Sequence, residues 1–145
     1  MSDKSESAAL ILKLYDLRRE ETMRKARDWF AREFFPETMA DVMDTVRGPN
    51  GAYYRMVVSY WEMAASLVNN GAIDEQMFVD ANGEHNFVFA KMQPFLPEMR
   101  AAVGPRAFAH LEKLVLGQPD AEASLNRLRE MMQTWRAPKA DATAS

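Results

Sequence analysis

The sequence predicts an all-α protein, an irregular bundle of about six to eight helices around a central hydrophobic helix over residues 53–70. Three observations carry that expectation. The central segment reads YYRMVVSYWEMAASLVNN and is apolar around most of its circumference. Apolar rows at spacings of three and four recur along the chain, the cleanest being Ala121, Leu125, Leu128, Met132 and Trp135. No alternating strand pattern runs beyond a few residues. The best strand candidate, residues 87–90, sits between helix signals without a partner and is read as helix.

The elements follow in order. Residues 1–7 are polar and expected to be disordered, and residues 8–136 are expected to form a single helical domain. A first helix over about residues 7–19 places Leu10, Leu14 and Leu17 on one face. A second helical run over residues 20–34 carries the apolar row Met23, Ala26, Phe30 and Phe34. Its charges alternate in an i,i+4 ladder: Glu20 to Arg24, Glu21 to Lys25, Arg24 to Asp28, Asp28 to Arg32. The pattern leaves open whether these two runs are continuous. Pro36 ends the second. Thr38 with Asp41 three residues on reads as a capping box opening a short helix to residue 46. Arg47-Gly48-Pro49-Asn50-Gly51 is a turn.

The central helix follows, with Gly71 placed as its left-handed C′ residue. Asp74 caps a short helix that Asn82-Gly83 ends. Another helix spans residues 84–93, broken at Pro94 and Pro97, with a further helical turn to residue 103. Gly104-Pro105 then stops one helix and starts the next, with Pro105 at its first position and Phe108, Leu111 and Val115 facing inward. Asp120 is read as the N-cap of the last helix. Residues 137–145 read as a disordered tail.

The stretch YWEMAASLVNNGAID at residues 60–74, followed by a short capped helix and then Phe95-Leu96-Pro97-Glu98-Met99-Arg100, resembles a family of small, uncharacterised bacterial all-helical proteins. Residues 14–19 and the helix around Trp29 and Phe30 fit the same pattern, so the resemblance covers residues 8 to about 115. It implies the helical fold and a bacterial source. The family brings no assigned activity.

Composition bounds the function. A net charge of −3 gives no general attraction to nucleic acid or anionic lipid. The basic residues Arg18, Arg19, Arg24, Lys25, Arg27 and Arg32 are interleaved with acids, and no recognition helix stands out, so no nucleic-acid partner is expected. Cysteine is absent, which excludes disulfides, thiol catalysis and Cys-based metal sites and fits a cytoplasmic location. No apolar run approaches the roughly 20 residues of a membrane span.

The two histidines, His85 and His110, lack Glu-x-x-His or His-Glu-x-x-His spacing, and no metal or other cofactor is expected. His110 is read as solvent-exposed and His85 as a surface or capping residue at a helix start. Phosphate-loop, nucleophile-elbow and kinase signatures are missing, so no catalytic residue is assigned.

Two features remain. Arg55, Ser59, Glu62, Ser66 and Asn69, spaced 4, 3, 4 and 3, share one stripe of the central helix. That stripe is either a solvated face or, if turned inward, a ligand-binding or enzymatic pocket around Arg55 and Glu62, with Ser59 and Ser66 alongside. The eleven methionines and the many aromatics suit helical interfaces. The first and last helices both carry stripes able to seal a dimer, with Leu125, Leu128, Met132 and Trp135 as the candidate interface. The leading expectation is a non-enzymatic interaction or scaffold protein that forms a homodimer or binds another protein. A peripheral membrane role for the first helix is a further possibility.

Overall fold

The computed structural model describes residues 3–138. Among these, nine α-helices follow one another: α1 (Lys4–Arg18), α2 (Glu21–Arg32), α3 (Met39–Arg47), α4 (Gly51–Asn69), α5 (Glu75–Ala81), α6 (Glu84–Met92), α7 (Leu96–Val103), α8 (Ala109–Leu116) and α9 (Ala121–Gln133). A 3₁₀ turn, Gln93–Phe95, joins α6 to α7, and no strand occurs among the described residues. The chain is all-α, and residues 87–90 lie inside α6.

Local chemistry sets most boundaries. Thr38 and Asp41 form a reciprocal capping box at the start of α3. At the end of α4, the Ala72 amide donates to Leu67 O and the Gly71 amide to Val68 O, with Gly71 at φ 84°. This is a Schellman closure, and its left-handed residue favours glycine. Gly51 begins α4 because a Cβ there would lie 2.2 Å from Val46 O.

The first two helical runs are separate. The chain turns at Arg19–Glu20, where the Glu20 carboxylate accepts the Thr22 and Met23 amides and caps α2. That use of Glu20 replaces the first rung of the expected ladder. The second rung, Glu21–Lys25, closes at 3.2 Å on the surface. Residues 4–7, expected to be disordered, belong to α1 instead. Asp3 caps its first turn, and Ser7 is buried where its Oγ accepts the Asp74 amide at 2.9 Å. The tail expected over residues 137–145 falls mostly outside the described residues, and Ala137 N donates to Arg32 O at 2.8 Å.

α4 packs against α2, α3, α5, α6 and α8, which places it in the middle of the contacts. Its buried face is Tyr54, Val57, Trp61, Ala64, Ala65 and Val68. The alanines let neighbouring helices approach, and the aromatics fill the wider ends. α9 lies across α6 and α8, and α1 rests on α5 and α2. The buried apolar residues other than Met23 join into one cluster reaching from Leu14 to Met132. Several of the aromatics serve this core. Trp29 stacks on Phe34 with centroids 5.2 Å apart, and Phe34 meets Tyr54 edge-on at 5.6 Å.

Candidate functional site

The polar stripe of α4 divides between solvent and a helix end. Arg55 is exposed, and its Nη1 donates to Val46 O at 3.4 Å. Ser59 is exposed and its Oγ donates to Arg55 O, as Ser66 Oγ does to Met63 O. These are local back-bonds along the helix. Arg55 and Ser59 therefore lie on the solvated face and do not build the alternative, an interior pocket around Arg55 and Glu62.

Glu62, further along the same face, is half-buried. Its Oε2 accepts the His110 amide at 2.9 Å and its Oε1 the Leu111 amide at 2.8 Å. Those amides are the second and third of α8, the donors that an N-cap side chain ordinarily satisfies. Two turns on, Asn69 Nδ2 donates to His110 O at 2.9 Å and lies 3.2 Å from its Nδ1. The stripe's inner end thus caps and clamps a distant helix.

This also relocates the start of α8. Pro105 does not open it; residues 105–108 form a turn, and the helix begins at Ala109. Phe108 just before it is left-handed at φ 59° and has no side-chain cap to offer. Such a conformation costs a bulky residue about 1–2 kcal/mol. Burial of the Phe108 ring and the Glu62 carboxylate hold it. Asp120, expected as N-cap of α9, is likewise left-handed at φ 52°, and its side chain makes no capping bond.

The stripe of α9 is taken within the chain. Leu125 and Met132 are buried, Leu128 and Trp135 pack onto the core, and Trp135 meets Phe87 with ring centroids 4.6 Å apart. The candidate interface Leu125, Leu128, Met132 and Trp135 is therefore covered by α6 and α8, since one amphipathic face can be buried only once. Apolar surface stays open on α1 instead: Leu10, Leu12, Tyr15 and Leu17 are 37%, 66%, 47% and 46% exposed. Leu14 alone of the expected row 10, 14 and 17 is buried.

Three interior polar groups were not anticipated. His85, expected as a surface or capping residue, is 1% exposed between Trp61 and Phe78, with ring centroids at 5.9 and 5.0 Å. Among the described residues neither of its nitrogens has a hydrogen-bond partner, and burial pushes its pKa down to about 4. Beside it, Glu84 accepts Arg27 Nε at 2.9 and 3.0 Å and Trp61 Nε1 at 2.9 Å, which ties α2, α4 and α6 together. Lys91 is 8% exposed; its Nζ donates to Phe30 O at 2.5 Å and lies 4.0 Å from the Phe35 ring centroid. Phe30 O is among the last carbonyls of α2, so Lys91 caps that helix end from α6. Burial first, and then Arg136, lowers its pKa to about 7. The only sequence signal for it was a lysine inside the otherwise apolar run FVFAKM. His110, also expected on the surface, is half-buried against Asn69.

Among the described residues, no group of three or more His, Asp or Glu is placed to hold a metal ion. No helix among them is long and apolar enough to cross a membrane.

These features define an all-helical domain in which Glu62 and Lys91 cap the ends of other helices. The chain belongs to the family described as a domain of unknown function, DUF4760, whose model matches residues 5–117. The match ends after α8, so α9 lies outside the matched segment. Neither the curated proteins nor the solved structures contain a match to this chain.

Proposed function

We propose that this chain is a non-enzymatic bacterial interaction protein acting in the cytoplasm, and that it self-associates through α1. The observation that carries the reading is the apolar surface of α1. Four large apolar side chains lie open within residues 10–17, Leu10 and Leu17 on one side of the helix and Leu12 and Tyr15 on another, and α1 rests on α5, α2 and, through Leu14 O and Tyr60, α4.

Glu6, Leu10, Lys13 and Leu17 follow one another at spacings of 4, 3 and 4, and so share one outward row. That row complements itself. In an antiparallel pair, Leu17 and Lys13 of one helix lie over Glu6 and Leu10 of the other, with each Glu6 within a turn of the opposite Lys13. Such a contact is isologous, as in a two-fold dimer. A single helix face falls below the roughly 1,200 Å² of a standard interface, so association is weak and concentration-dependent.

Sedimentation equilibrium tests the reading. The wild type should show a reversible monomer–dimer equilibrium at about 0.1 mM. Leu10→Glu with Leu17→Glu should remain monomeric, with unchanged helicity and melting temperature. A wild type that is strictly monomeric at 1 mM, or a double variant that dimerises equally well, overturns it.

A further inference from the structure

A cavity of about 250 Å³ opens beside the junction of α2, α6 and α9. Phe35, Pro36, Phe95 and Met132 supply apolar wall, and Lys91, Arg129 and Arg136 also line it. Glu37 is the acidic residue in the lining. None of the three cations is ion-paired with a carboxylate among the described residues. Arg129 donates instead to the neutral Gln93 Oε1, at 2.6 Å from Nη2. Arg136 lies on the Phe35 ring, 5.0 Å from its centroid, while Lys91 approaches the same ring at 4.0 Å.

Three cations converging on one small cavity repel one another. The strain is largest for Lys91, which is nine-tenths buried. Its ammonium has three donors, and the structure shows one oxygen acceptor, Phe30 O. Its Nζ otherwise lies near the Phe30, Phe34 and Phe35 rings, 5.0, 6.0 and 4.0 Å from their centroids, and Lys91 lines the cavity. A carboxylate entering the cavity would accept from Lys91, relieve the repulsion, and offer Arg129 or Arg136 a charge-assisted bond. The apolar wall would hold the body of the same molecule.

We infer that this cavity is a binding site for a small organic carboxylate, with Lys91, Arg129 and Arg136 holding the anion and Phe35, Phe95 and Met132 its apolar body. The site is independent of the α1 surface. It joins the family segment to α9: Lys91 comes from the former, and Arg129 and Met132 from the latter.

Isothermal titration of the full chain with benzoate, hexanoate, benzamide and inorganic phosphate at pH 7 tests it. At least one carboxylate should bind with a Kd of about 1 mM or below. Benzamide, the neutral isostere of benzoate, and phosphate, which lacks a body, should bind at least tenfold more weakly. Arg129→Gln and Arg136→Gln, neither of them a buried residue, should each weaken carboxylate binding about threefold to tenfold with the fold retained. Three results overturn the inference: no binding of either carboxylate at 20 mM, equal binding of phosphate, or undiminished affinity in both arginine variants.

Discussion

Glu62→Ala is the substitution that most directly tests how this fold is held. In the wild type the Glu62 carboxylate accepts two amides in the first turn of α8, at 2.9 and 2.8 Å. Each bond to a charged acceptor contributes about 1.5–3 kcal/mol, although water regains access to some of the exposed turn when the acceptor is lost. Loss of an N-cap side chain costs about 0.5–2 kcal/mol, and a carboxylate at a helix N-terminus adds about 0.3–1 kcal/mol through the dipole. These overlap, so the net loss should be about 2–4 kcal/mol. Phe108 adds to the sensitivity, because its left-handed backbone depends on α8 staying docked. For a chain of 145 residues, 1 kcal/mol corresponds to roughly 3 °C, so the melting temperature should fall by about 6–12 °C. Glu62→Gln keeps one acceptor and should lose about half as much. Arg55→Ala, on the exposed end of the same stripe, should stay within about 0.5 kcal/mol. Urea unfolding followed by circular dichroism at 222 nm measures all three. If Glu62→Ala matched wild type, or if Arg55→Ala were equally damaging, the capping account of the stripe would be wrong.

Other outcomes follow from the interior groups. His85 has a folded pKa of about 4, below its ordinary value of 6.5, so the unfolded chain binds the extra proton between those values. Stability contributed by the neutral ring is full above pH 6.5 and falls as the pH drops toward 4, by about 3 kcal/mol at most. His85→Phe should flatten that part of the acid limb, read as the wild-type minus variant difference in urea midpoints from pH 7 to 4. Lys91, lowered to about 7, works in the opposite range: the unfolded chain holds its proton up to about 10.5, so stability rises with pH above 7. Glu37, Arg129 and Arg136 share its cavity, and Arg136 repels its charge. The rise should be absent in Lys91→Met. It should end near pH 10, where Tyr54 and Tyr60, both raised to about 12, begin to lower stability. Trp135→Ala removes the ring packed on Phe87 and should lower stability by about 2–3 kcal/mol in the same urea assay.

Helix positions were legible in the sequence wherever a local rule acts. Thr38 with Asp41, Asp74 with the Met77 amide, and Gly71 after α4 are decided by residues within five positions of one another. The elements that shifted are those decided from far away. Ser7 is helical and buried because it meets Asp74, and α8 starts late because its cap comes from Glu62. The α9 row could be recognised as amphipathic, but its spacing is the same whether α6 or a second molecule covers it. His85 and Lys91 have ordinary flanking residues, and only the packing of α6 between α2, α4, α8 and α9 buries them.

The polar stripe of α4 shows why a helical wheel is an incomplete guide to such residues. Five polar positions at one angle share a direction from the axis, but along nearly four turns they meet different surroundings. Arg55 and Ser59 lie beyond the edge of the bundle, while Glu62 and Asn69 lie beside α8. A long side chain at the boundary satisfies two demands together: its methylenes cover apolar surface, and its charged end reaches a helix terminus whose donors or acceptors have no partner of their own. Lys91 does the same for α2 with the opposite charge. A short-helix bundle has many such ends relative to its volume, so charged residues at its margins are first to be examined as caps. Lys91 stands apart because Phe30 O is its one oxygen acceptor among the described residues while two arginines line the same cavity. Glu62 has both oxygens engaged by amides, and so closes a structural account where Lys91 opens a functional one.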